Sequence, residues 1–287
     1  YHRFPTVDNF EKQFHEKQLH FSDAHRNVLV ATLKKQYASI ETSLKTAQNI
    51  DALLQSNTFT ITTGHQLNLF TGPLYFLYKI ISTINLTVEL KSKYPNQHFV
   101  PIYWMATEDH DFEEINYFTF KGKKIRWNAE SNGPVGRHTT EGLNEVFNVF
   151  EKEIGNSNNA QFIKNLFESA YLQHENLADA TRYLANVLFG EYGLVILDAD
   201  DAALKKEFAP FVKEELLHQT SHKEVSATIE KLKPYDIQVN PREINLFYIE
   251  DQLRERIILE NGVYKVNNTS LVFSEVEILA LLEKKPE

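Results

Sequence analysis

At 287 residues, with 42% hydrophobic and 24% charged side chains, the chain has the composition of an ordinary folded protein of about two domains, which excludes extended disorder and fibrous architectures. Lys and Arg number 30 against 39 Asp and Glu, a formal charge of −9, so the basic footprint of a nucleic-acid binder is missing. Cysteine is absent, which excludes disulfides, thiolate metal sites and a cysteine nucleophile and fits a reducing cytoplasm.

The chain begins at Tyr1 with no initiator methionine and no apolar signal region, so an internal piece of a longer product is expected. From Asn9 to Ile50 apolar residues recur at mixed three- and four-residue spacings, which predicts two amphipathic helices. The run Phe59-Thr60-Ile61-Thr62-Thr63 is β-branched and stops at Gly64, as a buried strand feeding a tight turn does. Leu74, Leu77, Tyr78, Ile81, Ile84 and Val88 then mark a helix that starts near Pro73 and ends before Pro95. This most apolar stretch is interrupted by Lys79, Ser82, Thr83, Asn85 and Thr87, which makes it a globular helix and no membrane span. A second strand, Phe99 to Trp104, completes a βαβ unit with parallel strands.

After Glu114 the pattern turns into a hairpin, Tyr117 to Phe120 and Ile125 to Trp127 around Lys121-Gly122-Lys123-Lys124, and an insertion begins. Asn128 to Thr140 reads as loop, and Leu143 to Ile154 and Phe162 to Tyr171 as helical patches. The α/β rhythm returns with a helix over Leu177 to Phe189, the apolar strand Gly193 to Leu197, caps at Asp198 to Asp201 and a helix from Ala202. Short strands follow at Leu246 to Ile249, Ile257 to Leu259 and Val263 to Val266, then a capped helix from Ser274 to Glu283. The expectation is an α/β fold with a parallel sheet and an inserted α+β connecting region. It divides into a helical segment (1–50), the first part of the core (51–116), the connecting insertion (117–175) and a second part of the core with a further small insertion (176–287).

Chemistry concentrates at the carboxyl ends of these strands, where open parallel sheets bind ligands. Gly64-His65-Gln66 and Thr71-Gly72-Pro73 set a histidine at a strand end and free N–H groups at a helix start, an arrangement for phosphate or carboxylate. The alternative is that Thr71 caps the helix and the glycines serve turns. Lys79, two turns in, is either a solvated lysine or a second anion contact. Glu108-Asp109-His110-Asp111-Phe112-Glu113-Glu114 crowds carboxylates and a histidine at the second strand end. Their repulsion calls for a bound ammonium or metal, Mg²⁺ or Zn²⁺, unless Asp109 or Asp111 caps an acidic helix start. Asp198, after the third strand, either caps or binds a ribose hydroxyl or ammonium. Arg242, in Asn240-Pro241-Arg242-Glu243-Ile244-Asn245, suits a carboxylate or phosphate, or sits on a surface turn.

Gly64-His65-Gln66 with Thr71-Gly72-Pro73-Leu74-Tyr75 and Lys79, followed by Pro101-Ile102-Tyr103-Trp104-Met105-Ala106-Thr107-Glu108-Asp109-His110-Asp111-Phe112-Glu113-Glu114, resembles the cysteine-adding enzymes of bacillithiol biosynthesis. Tyr192-Gly193-Leu194 to Asp198 and Asn245-Leu246-Phe247-Tyr248 look like that family too, and the likeness spans about Phe59 to Leu282. The resemblance implies a Rossmann-like core, truncated at both ends here, without the family's dimerising C-terminal coiled coil. It further implies a cytoplasmic carbon–nitrogen ligase that adds L-cysteine to glucosaminyl malate, homodimeric at full length, with ATP or ADP and Mg²⁺ as cosubstrates and neither nucleic acid nor membrane as partner. On that basis His65, Lys79, Asp109, His110 and Asp111 are expected to be catalytic, and Gly64, Gln66, Thr71, Gly72 and Asp198 to bind the nucleotide. Glu108, Arg242 and Asn245 are expected to bind substrate. The His65 turn is also similar to the histidine signature of class I synthetases, whose second histidine has no counterpart here. The alternative function is a non-catalytic nucleotide- or metabolite-binding protein on the same core.

Overall fold

In the computed structural model, which describes residues 3–287, the β-branched run predicted as the first strand becomes β1 (Thr58–His65). Helix α4 (Tyr75–Lys93) returns the chain to β2 (His98–Met105), and β5 (Val195–Asp198) joins β2 on its far side. The three strands pair in parallel in the order β1-β2-β5. Val100, Tyr103, Met105, Val195 and Ile196 are fully buried, so β2 and β5 read as near-continuous apolar runs, as strands covered on both faces do.

Ahead of β1 the structure has three helices where spacing alone predicts two: α1 (Asn9–His20), α2 (Asp23–Gln36) and α3 (Leu44–Ala52). Two serines divide them, for the Ser22 hydroxyl accepts from the His25 amide and the Ser43 hydroxyl from the Thr46 amide. Buried Arg26 ties this layer to the sheet by donating to the carbonyls of Leu53 (2.8 Å) and Thr58 (3.2 Å). Between β2 and β5 lie the short helix α5 (Phe112–Ile115), the predicted hairpin β3 (Tyr117–Phe120) and β4 (Lys123–Arg126), α6 (Leu143–Ile154), α7 (Asn158–Phe167) and α8 (Leu177–Phe189). Phe70, Phe118, Phe150 and Phe167 stack among themselves with centroids 4.7 to 5.7 Å apart, which joins the turn after β1 to the hairpin and to α6 and α7.

The chain forms two compact units. The first reaches Ser131 and resumes over Val135–Ala199; the second comprises Asn132–Pro134 and Asp200–Glu287. In the second, Asp201 caps α9 (Ala202–His218), and Gln219, with φ of 51°, turns the chain into α10 (Thr220–Leu232). An antiparallel sheet, β6 (Phe247–Glu250), β7 (Leu253–Glu260), β8 (Val263–Val266) and β9 (Val272–Phe273), follows. The capping box of Ser274 and Glu277 then opens α11 (Glu275–Lys284). Leu216, Ile244, Ile257, Tyr264 and Ile278 form the core of this unit. Among the described residues no helix is long and apolar enough to cross a membrane.

Candidate functional site

Strand register brings the predicted residues of the first unit to one rim. His65 ends β1 opposite Met105, and Met105 is in turn opposite Asp198. The His65 carbonyl accepts from the Ala106 amide at 3.0 Å, so the turns leaving β1 and β2 start side by side.

His65 is only 7% exposed. Its Nδ1 faces the Gln66 carbonyl at 2.9 Å, and since a carbonyl can only accept, Nδ1 carries the proton and Nε2 holds the free lone pair. Nε2 is buried without a hydrogen-bond partner, and so is Oδ1 of Asn68. Burial holds the ring below the ordinary histidine value. It outweighs the Gln66 carbonyl and the Asn68 side chain, which favour the charged ring, and Lys79 adds to the lowering. His65 is therefore a neutral imidazole packed against Tyr75 and Phe76, with centroids at 4.8 and 5.2 Å.

Gln66 reaches across to the acidic loop. Its side-chain amide donates to Asp109 Oδ2 at 3.0 Å and to Glu114 Oε2 at 2.8 Å, which spends both of its N–H bonds on carboxylates. Asn68 Nδ2 donates to the Glu114 carbonyl at 3.3 Å. Asp109 Oδ1 accepts from the amides of His110 (2.7 Å) and Asp111 (3.4 Å). Asp111, expected as an alternative cap, makes no side-chain cap bond at α5. Asp109, His110 and Asp111 can bring one ligand atom each within 4.8 Å of one another, a set that could hold a cation. A metal there would compete with three N–H donors for Asp109. Glu108 is half-buried beside them, and His110 and Asp111 are exposed.

The helix start differs from the expected anion cradle. Leu74, not Thr71, is the N-cap of α4, and no side chain caps it. Phe70 and Thr71 adopt left-handed conformations, φ 57° and 70°, in a separate turn. Gly72 is required by its φ of 53° and by Asn68: a Cβ there would lie 2.3 Å from the Asn68 Cβ. The space beside Gly72 is thus filled by the protein's own side chain. At Gly64 a Cβ would meet only the Trp104 carbonyl, at an ordinary 3.7 Å, so no close approach is built there either. Lys79 Nζ donates to the Gly64 carbonyl and lies 5.5 Å from the Tyr75 ring centroid.

Asp198 sits in a network that spacing does not reveal. Its Oδ1 accepts from the Thr107 hydroxyl at 2.6 Å, and its Oδ2 lies 3.6 Å from the guanidinium of buried Arg182, which also bonds Asp179 at 2.6 Å. Its carboxylate is engaged in joining β5 to β2, so the ribose-hydroxyl role has to compete with these bonds. Gly136 packs on the same threonine: its amide donates to the Thr107 carbonyl at 2.8 Å, and a Cβ at 136 would fall 2.5 Å from the Thr107 Cβ. The neighbouring Val135 amide holds the Asp109 carbonyl at 2.7 Å. Arg182 shares the Leu177–Phe189 run with Asp179, three positions before it, and Gly136 gives no sequence signal. Arg242 and Asn245 belong to the second unit, where Arg242 is exposed and the Asn245 amide donates to buried Glu215 at 3.0 Å.

A family model described as "Bacillithiol biosynthesis BshC, N-terminal Rossmann-like domain" matches residues 1–287. A protein of Flavobacterium johnsoniae named "Putative cysteine ligase BshC" is 67% identical over 287 residues, covering 100% of this chain and 54% of its own length. Proteins of the same name from Christiangramia forsetii and Staphylococcus saprophyticus are 54% and 27% identical, over 100% and 99% of this chain and 54% and 56% of their own lengths. The chain spans about half the length of the curated relatives it matches.

Proposed function

Since this chain belongs to the bacillithiol biosynthesis BshC family, as its N-terminal Rossmann-like domain, we propose that the complete protein is a carbon–nitrogen ligase that joins the carboxyl group of L-cysteine to the amine of glucosaminyl malate. The observation that carries this reading is a rim made of acceptors. Gln66 clasps the Asp109 and Glu114 carboxylates, Glu108 and Asp111 lie in the same loop, and the turn that carries Gln66 also holds the neutral His65 ring. Such a rim takes up an amine and its protons.

Amide formation requires an activated acyl group and an amine that has lost its proton. The carboxylates of Glu108, Asp109, Asp111 and Glu114 attract the ammonium form of the substrate. One of these carboxylates takes the first proton and so frees the nitrogen's lone pair; His65, kept neutral by burial, takes the second on Nε2 as the amine nitrogen bonds to the acyl carbon and the activating group leaves with its electron pair. The Nε2–H so formed donates to Asn68 Oδ1, and Gln66 O keeps the ring in place through Nδ1. ATP with Mg²⁺ is the activating system to be tried first.

The test is mass-spectrometric detection of the condensed thiol when the complete protein meets L-cysteine, glucosaminyl malate and Mg-ATP, with a folded His65→Ala control. Product that falls by about 10²–10⁴-fold in the variant supports ligation with His65 as base. No product from a folded wild-type protein that still binds nucleotide overturns the ligase reading in favour of a binding protein.

A further inference from the structure

Trp104 breaks the burial pattern of its strand. Parallel strands with helices on both faces are buried on both sides, and β2 follows that rule at Val100, Ile102, Tyr103 and Met105. Trp104, one residue from the end of the strand, is 44% exposed. The chain's other tryptophan shows the ordinary arrangement: Trp127 is 1% exposed, packs on Phe112 and His138, and donates from Nε1 to the Glu141 carbonyl at 2.9 Å.

Strand register accounts for the difference. Trp104 is opposite Gly64 on one side and Leu197 on the other, so these three share a face of the sheet with Thr62, Ile102 and Val195. Ile102, Val195 and Leu197 are buried on that face, whereas Thr62, Gly64 and Trp104 are exposed. Gly64 brings no side chain to the tryptophan, and within 4 Å a Cβ there would meet only the Trp104 carbonyl, at 3.7 Å. The chain then runs from Trp104 into the acidic loop, with Glu108 four positions on and Asp109 bonded to Gln66. An aromatic face beside carboxylates, at the carboxyl ends of parallel strands, suits a ligand that carries a cation on an apolar ring face.

We propose that Trp104 is the platform for the amine substrate: the pyranose ring of glucosaminyl malate lies on the indole, over the space at Gly64, and its ring-borne ammonium points to Glu108, Asp109 and Asp111. This role rests on the ligase reading and adds to it the group that selects the sugar. The C–H bonds of a pyranose face are slightly positive and the ammonium fully so, and both are attracted to the negative face of an indole. The carboxylates hold the nitrogen, and the indole holds the ring to which it is attached, which fixes the direction in which the freed lone pair points. An amine without such a ring meets the carboxylates and misses the platform.

Calorimetric titration of the complete protein with glucosaminyl malate, without L-cysteine or nucleotide, tests this on the wild type, Trp104→Phe and Trp104→Ala. The dissociation constant is expected to rise about 10-fold in Trp104→Ala and by less than about 3-fold in Trp104→Phe, which keeps an aromatic face. Equal affinity in all three overturns the platform and leaves the ligase reading standing. No binding by the folded wild type overturns it too, and the thiol-product assay then decides the ligase reading separately. Fluorescence covers the case in which Trp104→Ala does not fold, because the wild-type spectrum minus that of Trp104→Phe isolates Trp104. Glucosaminyl malate is expected to shield this signal, cutting its quenching by acrylamide at least about 3-fold. Quenching that the substrate leaves unchanged overturns the proposal. So does a Trp104 signal that acrylamide cannot reach in the ligand-free protein, since another part of the complete chain then occupies the platform.

Discussion

The Phe70 amide, on a residue held at φ 57°, donates to the hydroxyl of Tyr171 at 2.9 Å across 101 positions of sequence. Tyr171 is fully buried, and burial pushes its hydroxyl up to about 12, above the ordinary tyrosine value, despite the Phe70 amide, which lowers it. The turn that carries Gln66 and Asn68 is thereby anchored from the far side of the connecting region. Tyr171→Phe leaves this N–H without its partner and is expected to cost about 1–3 kcal/mol of stability, read from the midpoint of denaturant unfolding. An unchanged midpoint would show that the bond does not hold the turn.

Gln66→Glu replaces the amide that bridges Asp109 and Glu114 with a third carboxylate. Repulsion is expected to destabilise the variant at pH 7 by about 1–3 kcal/mol. The crowded carboxylates then bind protons more tightly when folded than unfolded, so the deficit should narrow as pH falls into the carboxylate range. Unfolding curves at about pH 7 and pH 4.5 check this, and a deficit that widens on acidification would be the wrong sign.

His65 gives stability a pH dependence of its own. Its folded pKa lies below the unfolded value of about 6.5, so the unfolded chain binds more protons between the two. The contribution is complete above about pH 6.5 and is lost as pH falls through the folded value. His98, lowered by burial and then by Lys91, acts with the same sign. Denaturant unfolding from pH 7 to pH 5 is therefore expected to show a smaller loss for His65→Gln than for the wild type. Equal losses would mean that His65 is not held neutral by the fold.

Arg182→Met removes the guanidinium from beside the Asp198 carboxylate at the rim, and a loss of about 3–5 kcal/mol is expected, as when one partner of a buried pair is deleted. The pair should be coupled, so that Arg182→Met combined with Asp198→Asn costs less than the two single changes added together. Additive losses in a double-mutant cycle would show that the two groups do not interact.

Strands β1, β2 and β5, the β3–β4 hairpin and the Ser274 capping box are legible in sequence because each is written in neighbouring residues: a β-branched run, a turn signal, a cap three positions before its glutamate. The division of the first helical segment is less so, because Ser22 and Ser43 mark helix starts only when read as caps. Helix α10 escapes because it buries no side chain and so leaves no apolar stripe, and because its entry depends on Gln219 in a left-handed conformation. At the rim, the gathering of His65, Asp109 and Asp198 follows from three strand ends in register, which the α/β pattern foretells. What fills the space beside Gly72 does not, since Asn68 as its occupant is a fact of packing. The clasp of Gln66 on Glu114 and the reach of Arg182 to Asp198 join residues 48 and 16 positions apart, and nothing local announces them.

Gly136 has no functional group, yet the spacing of two strand tips depends on it. Thr107 touches Gly136 on one side and bonds Asp198 on the other, so the absence of a methyl group at 136 lets the connecting segment press the tip of β2 towards that of β5. Alignment of the acidic rim is in this sense gauged from outside the sheet. A chain could keep every carboxylate and the histidine and still lose their alignment through a single alanine at a position that carries no chemistry.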